Sequence, residues 1–66
     1  MNLVVNGESF SHNGQGTLPE LLHECRAEPL RTAVMVNGEV VRRENWDGVR
    51  LSDGDQVELL TFAGGG

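Results

Sequence analysis

Apolar and polar positions alternate in the first part of the chain, which is typical of a β-hairpin. Residues 2–5 are rich in β-forming side chains, Asn6-Gly7 is the strongest two-residue turn signal, and residues 8–12 alternate around Phe10. The sequence therefore predicts two antiparallel strands joined by a tight turn at the start of the chain.

The next apolar residues recur at helical spacing. Thr17 and Glu20 have the spacing of a capping box, in which each side chain accepts from a backbone amide of the other. An apolar stripe at positions i, i+3, i+4 and i+7 is formed by Leu18, Leu21, Leu22 and Cys25. We expect one helix that begins after Thr17 and continues as far as Glu28-Pro29. It should stop there because the residue before a proline avoids the helical conformation.

Strand and turn patterns return in the second half of the chain. Residues 33–36 are rich in β-forming side chains, a second Asn-Gly pair follows at positions 37–38, and residues 40–41 form a short apolar return. Residues 42–47 are polar around Trp46, a side chain expected to cover one end of the core. A second hairpin is therefore predicted here.

Three further segments precede the terminus. Residues 49–51 are predicted as a short edge strand, residues 52–55 as a turn, and residues 56–62 as the last strand. With the helix and the two hairpins, these segments predict an α+β domain over residues 1–62, in which four or five strands pack on one helix.

The last strand has two apolar faces. Val57 and Leu59 point to one side and Leu60 and Phe62 to the other. A sheet covered by one helix leaves its far face open, so Leu60 and Phe62 either form an exposed docking surface or are covered by loops or neighbouring strands. Arg43 is a further candidate for contact with a partner, with an ordinary solvated arginine as the alternative.

The chain ends in small residues only. Ala63, Gly64, Gly65 and Gly66 have no side chain that could pack, so residues 63–66 are predicted as a flexible tail. Four extended residues reach roughly 13 to 14 Å, enough to present a terminal carboxylate inside another protein. That carboxylate is ionised and inert at neutral pH, so a partner would have to activate it. The glycines alone are equally consistent with a frayed terminus.

Size and charge exclude several classes of function. A chain of 66 residues makes one domain that hides only about 60% of the surface of its unfolded form, which disfavours a deep catalytic cavity. Ten acidic and five basic residues give a net charge of -5, which disfavours nucleic acid as a partner. All five basic residues are arginines, so chains linked through lysine side chains are excluded.

Membrane, metal and redox roles have little support. The chain has no apolar run of about 18 residues and no secretory signal pattern, so it is expected to be cytoplasmic. Cys25, His12 and His23 are too few to form a structural zinc site, and no metal site is predicted. Cys25 is expected in the core and both histidines at the surface, with residues 14–16 as a plain loop.

Several stretches together resemble a known family. They are Val5 to Gly7, Leu21-Leu22, Val36 through Trp46, Asp53 to Val57, and the terminal Gly65-Gly66. In this order and spacing they resemble, over the whole chain, the thiamine-biosynthesis sulfur carrier proteins, the ThiS family, which are ubiquitin-like and related to the MoaD family. The resemblance implies a β-grasp fold with a mixed sheet on one helix.

The resemblance also implies a chemistry at the terminus. An E1-like adenylating enzyme of the ThiF type would use ATP and magnesium to adenylate the carboxylate of Gly66. A sulfur donor such as a cysteine desulfurase would convert it to a thiocarboxylate, a 1-thioglycine, which thiazole synthase of the ThiG type would accept as its sulfur source. Gly65, extended by Gly64, would form the tail motif. The protein would then be a co-substrate rather than an enzyme, with no stably bound cofactor.

Other functions remain open at this point. The sulfur acceptor could instead belong to molybdopterin, cysteine or tRNA thiolation. A binding module that uses Leu60 and Phe62, with an incidental glycine tail, is a different class of function, and a modifier conjugated to proteins is a third.

Overall fold

A five-stranded mixed sheet is the frame of the computed structural model, which describes residues 1–63. Its strands in chain order are β1 (Asn2–Val5), β2 (Glu8–Ser11), β3 (Thr32–Val36), β4 (Glu39–Val41) and β5 (Gln56–Thr61). The order across the sheet is β2-β1-β5-β3-β4, with β1 and β5 parallel and the other neighbouring pairs antiparallel. The last strand therefore lies in the middle of the sheet, between the two hairpins.

The two Asn-Gly pairs form the two hairpin turns, as predicted. Asn6 and Gly7 have φ values of 50° and 82°, and Asn37 and Gly38 have values of 51° and 85°. Two consecutive left-handed residues make a type I′ turn, whose twist matches that of the flanking strands. Asparagine and glycine tolerate this conformation at low cost, so the turn chemistry fixes the register of both hairpins.

The helix α1 (Leu18–Glu24) begins as predicted but ends earlier. Both hydrogen bonds of the capping box are present, from the Glu20 amide to the Thr17 hydroxyl at 3.3 Å and from the Thr17 amide to the Glu20 carboxylate at 3.4 Å. The predicted continuation to Glu28-Pro29 is wrong. Arg26 takes a φ of 57°, and the amides at 26 and 27 turn back to bond carbonyls in the last turn, which caps the helix before the proline is reached.

Two short 3-10 helices, Pro29–Arg31 and Arg43–Gly48, complete the helical structure of the described residues. None of the helices formed by residues 1–63 has the length and apolar content needed to span a bilayer.

The core lies between α1 and one face of the sheet. The three leucines of the helix, each 0% exposed, are Leu18, Leu21 and Leu22. They pack against inward-facing strand residues Leu3, Val5, Val34, Val57 and Leu59. Burying one such side chain contributes about 1.5–3 kcal/mol. Trp46 closes the core as predicted, 5% exposed, with its indole N–H donating to the Val41 carbonyl at 2.9 Å.

The segment before β5 differs from the prediction. Residues 49–51 form no strand, so the predicted edge strand is wrong. The Leu51 side chain is buried in the core, and its amide donates to the carbonyl of Gly16 at 2.7 Å. The backbone partner of this segment is thus a loop rather than a strand. The turn predicted at 52–55 forms, with a backbone hydrogen bond of 3.0 Å from Asp55 to Ser52.

Candidate functional site

The strand that leads into the predicted tail is held from both sides. On the β1 side, the amide of Asn6 donates to the carbonyl of Val57 at 2.9 Å. On the β3 side, the amide of Phe62 donates to the carbonyl of Arg31 at 2.7 Å, one residue before the end of the described chain. The residues that lead toward the C-terminus therefore follow a central strand that is paired on both sides.

Leu60 and Phe62 lie on the open side of the sheet, away from α1. Val57 and Leu59 point into the core, and the side chains that alternate with them are 56% exposed for Leu60 and 59% for Phe62. The prediction of an exposed apolar pair is confirmed among the described residues, and the alternative that loops or strands cover the pair is wrong.

Neighbouring strands extend this pair into a larger surface. Ala33 of β3 lies opposite Leu60, and Met35 lies opposite Val40 of β4, which is 69% exposed. Register places all of them on the face opposite the core residue Val34. We call this surface the open-face patch, formed by Ala33, Met35, Val40, Leu60 and Phe62. An exposed apolar surface of this kind is a candidate site of interaction with another protein.

Arg43 occupies a different part of the molecule. It begins the second 3-10 helix, which contacts α1 on the covered side of the sheet, and its own side chain is exposed. The structure does not bring Arg43 into the open-face patch, and its role in docking stays a prediction. The other predicted site residues, Gly64, Gly65 and Gly66, lie outside the described residues.

A buried histidine is a polar feature that the sequence pattern did not predict. His12 is 2% exposed, so the prediction of a surface residue is wrong for it, whereas His23 is exposed as predicted. The Nδ1–H of His12 donates to the carboxylate of Glu24, and its Nε2 accepts from the amide of Gly16 at 3.0 Å. The imidazole thus ties the end of β2 to the helix and to the loop between them. The inward alternation from Phe10 to position 12 is the signal that could have found it.

The two glutamates beside this histidine are held ionised. Partial burial raises the pKa of Glu24, but hydrogen bonds from the Asn13 amide and from His12 outweigh it, so the pKa lies below its usual value. The pKa of Glu20 is also lowered, chiefly by the Gln15 amide at 2.8 Å and then by the Thr17 hydroxyl. Both carboxylates therefore accept hydrogen bonds from nearby backbone amides in their charged form.

Cys25 lies at the end of α1, partly buried against the core. Burial raises the pKa of its thiol, and the neighbouring Glu24 adds to the rise. A thiol with a raised pKa holds little thiolate at neutral pH and is a weak nucleophile. The expected packing role is supported over a role in sulfur relay.

Within residues 1–63, no group of three or more His, Cys, Asp and Glu side chains has the arrangement of a metal site. No pocket forms in this part of the chain.

Comparisons with known proteins agree with the geometry. The sequence model of the ThiS family matches residues 3–66. The crystal structure of a thiamine biosynthesis protein (ThiS) from Geobacter metallireducens is 42% identical, and each chain covers all of the other with a TM-score of 0.81. The expected β-grasp architecture is therefore confirmed, with five strands and one α-helix in residues 1–63.

Two curated relatives differ in length. The "Sulfur carrier protein ThiS" of Bacillus subtilis is 32% identical over 97% of this chain and 98% of its own length. The "Thiazole synthase" of Paramagnetospirillum magneticum is 36% identical over all of this chain, which spans only 20% of that protein. The likeness to the synthase is thus confined to a segment about one fifth of its length.

Proposed function

Because this chain belongs to the ThiS family, we propose that it carries sulfur in thiamine biosynthesis and that its working group is the carboxylate of Gly66. The observation that carries the proposal is the pairing of a glycine terminus with an exposed apolar patch on the strand that leads to it. The protein acts as a co-substrate whose terminus enters the active sites of other proteins. The proposed chemistry uses ATP, and the proposed location of the protein is the cytoplasm.

The activation step takes place in a partner. In an E1-like enzyme of the ThiF type, an oxygen of the Gly66 carboxylate attacks the α-phosphorus of ATP, with magnesium balancing the phosphate charge. Pyrophosphate leaves and an acyl-adenylate forms. This conversion makes the terminal carbonyl electrophilic, which the free carboxylate is not.

The sulfur step follows on the activated carbonyl. A persulfide sulfur from a donor such as a cysteine desulfurase attacks the carbonyl carbon and expels AMP. A thiol reductant then cleaves the sulfur–sulfur bond, which leaves a thiocarboxylate on Gly66 and a disulfide between donor and reductant. Gly64 and Gly65 suit the passage of the terminus through narrow channels because they carry no Cβ.

The open-face patch is proposed as the docking surface for the activating enzyme. Leu60 and Phe62 are more than half exposed and lie within six residues of the terminus, so a partner that covers them also meets the tail. A few well-packed side chains at the centre of an interface contribute most of its binding energy. The net charge of -5 favours a basic rim around that site on the partner.

Thiazole synthase of the ThiG type is the proposed sulfur acceptor. The support is that a protein named thiazole synthase contains a segment similar to the whole of this chain. A carrier and its acceptor encoded in one polypeptide would react at high effective concentration.

The test is intact mass spectrometry of the protein after incubation with a ThiF-type enzyme, ATP, magnesium and sulfide. The expected result is the mass gain of one oxygen replaced by sulfur, which requires ATP. A variant that lacks Gly65 and Gly66 should show no gain. Absence of the gain in the full chain, with an enzyme that activates its own carrier, would refute the proposal.

Two matched variants test the patch. Leu60→Asp places a charge on the open face, and Thr61→Asp places the same charge at the next position of the strand, on the opposite face. Leu60→Asp should slow thiocarboxylate formation by about tenfold or more while the fold is retained, and Thr61→Asp should have a much smaller effect. Equal effects of the two substitutions on thiocarboxylate formation would show that the open-face patch is not the docking surface. A tailless protein that still supports its pathway, with Leu60→Asp abolishing it, would favour the binding module instead.

A further inference from the structure

The two type I′ turns of the sheet share a second feature, because each turn asparagine reaches over to bond the backbone of β5. The Asn6 carboxamide oxygen accepts from the amide of Leu59 at 2.8 Å, and its nitrogen donates to the carbonyl of Leu59 at 3.3 Å. The Asn37 oxygen accepts from the amide of Gln56 at 2.9 Å, and its nitrogen donates to the Asp55 carboxylate at 3.1 Å. The sequence Val-Asn-Gly-Glu, which occurs at residues 5–8 and again at 36–39, thus serves to hold the central strand as well as to form turns.

The two asparagines hold opposite halves of β5. Asn37 bonds the strand at its first residue, whereas Asn6 bonds it at Leu59, next to the exposed Leu60. On this side of the strand, β1 pairs through its backbone with the first half of β5, at Gln56 and Val57. The Asn6 side chain continues this parallel ladder by one further position after the β1 backbone has turned away.

The end of the strand has a matching hold on its other side, where the amide of Phe62 bonds the Arg31 carbonyl. Without Asn6, every residue of β5 after Val57 would be paired through β3 alone. Loss of pairing on one side lets a strand end separate from the sheet more often. Leu60 and Phe62 would then spend less time in the arrangement that forms the open-face patch.

We propose that Asn6 is a positioning residue that fixes the second half of β5 and, with it, the docking face that carries Leu60 and Phe62. This inference rests on the proposed function. A partner that binds only the ordered strand end has an apparent affinity reduced by the fraction of molecules in which that end is frayed. The Michaelis constant for the carrier therefore rises on loss of Asn6, whereas the turnover of the bound carrier does not change.

The chain supplies a closely matched pair of variants. Asn6→Gly and Asn37→Gly each remove two side-chain hydrogen bonds at the first position of a type I′ turn, and glycine keeps the left-handed conformation in both. The two changes add the same freedom to the unfolded chain. They differ in which half of β5 loses its side-chain hydrogen bonds, the first half in Asn37→Gly and the second in Asn6→Gly.

Amide hydrogen exchange measures how often the backbone hydrogen bonds of β5 open, in the full chain without any partner. In Asn6→Gly, exchange at Leu59 should be about tenfold faster, and exchange at Phe62, whose own acceptor is untouched, should also rise. In Asn37→Gly the exchange at Phe62 should stay at the wild-type rate. Equal exchange at Phe62 in the two variants would overturn the proposal.

Steady-state activation by the ThiF-type enzyme then measures the consequence for the reaction. Asn6→Gly should raise the Michaelis constant for the carrier at unchanged kcat, by no more than the about tenfold increase in opening of the strand end, and Asn37→Gly should change neither. Asn6→Asp, which keeps the acceptor for the Leu59 amide, should recover part of the loss. An unchanged Michaelis constant in Asn6→Gly would overturn the positioning role. Failure of the wild-type chain to gain sulfur would instead refute the proposed function, and the exchange experiment would still decide whether Asn6 holds the strand.

Discussion

Replacement of Glu24 by glutamine tests the role of the buried histidine in holding the fold together. The Glu24 carboxylate accepts from His12 Nδ1–H and from the amide of Asn13 at 2.9 Å. A glutamine in the same place keeps one oxygen acceptor and turns an amide nitrogen toward the second donor. One donor is therefore left unpaired, and the remaining hydrogen bond loses its charge.

The structure sets the size of the effect. A hydrogen bond to a charged group is worth about 1.5–3 kcal/mol when shielded from water. The Glu24 side chain is 22% exposed, so water replaces part of the lost interaction. We expect a loss of about 1.5 kcal/mol in the free energy of unfolding, out of a total of roughly 3–10 kcal/mol for a domain of this size. Such a loss lowers Tm by roughly 6–12 °C.

The loss should depend on pH, with a definite sign. The pKa of Glu24 in the folded state lies below its ordinary value of 4.5. A carboxylate with a lowered pKa contributes stability that is fully present above its unfolded pKa and disappears as pH falls through the folded one. The stability difference between the wild-type protein and Glu24→Gln is thus expected to be full at neutral pH and to narrow below pH 4.5.

Urea unfolding followed by circular dichroism, at about pH 7 and about pH 4, measures the loss in the free energy of unfolding and its change with pH. Glu39→Gln, at an exposed position of β4, makes the same change in net charge and should alter stability by less than about 0.5 kcal/mol. A difference for Glu24→Gln that is as small as this control, or that is the same at both pH values, would refute the reasoning.

Three further outcomes follow from single interactions. Thr17→Ala removes the capping box with Glu20 and should cost about 1 kcal/mol in urea unfolding, most of which Thr17→Ser restores. Trp46→Phe leaves the Val41 carbonyl without its indole donor and should cost about 1 kcal/mol or more, again measured by urea unfolding, with the native circular dichroism spectrum retained. Because burial raises the pKa of Cys25, its alkylation by iodoacetamide should be slower than that of a free cysteine at pH 8 and should accelerate at higher pH than the free thiol does.

The candidate site was predictable from sequence where the signal was local alternation. Leu60 and Phe62 were expected on one face of the last strand because side chains in a strand alternate with a period of two, and the structure places them so. Their exposure could not be decided from the sequence, since it depends on which other segments reach that face. The position of Arg43, on the side of α1 rather than beside the patch, was likewise a matter of tertiary packing.

Two of the failed predictions have causes that the apolar pattern does not contain. Histidines are mostly found at least partly exposed, yet His12 is buried because Glu24 and Gly16, from the helix and the loop, together satisfy both of its ring nitrogens. The helix stopped before Pro29 because Arg26 could take the left-handed conformation of a C-terminal cap. Neither outcome is visible in the local pattern of apolar residues.

The sequence by itself determined the two Asn-Gly hairpins, the capped start of α1, the inward apolar stripe and the glycine terminus. Each of these depends on residues close in the chain, through turn chemistry, capping or side-chain periodicity. Only the tertiary structure decided that β5 inserts between the two hairpins, parallel to β1, and that Asn6 then bonds Leu59. Those pairings join residues about fifty positions apart, and their energy comes from burial of the shared core, which no local pattern specifies.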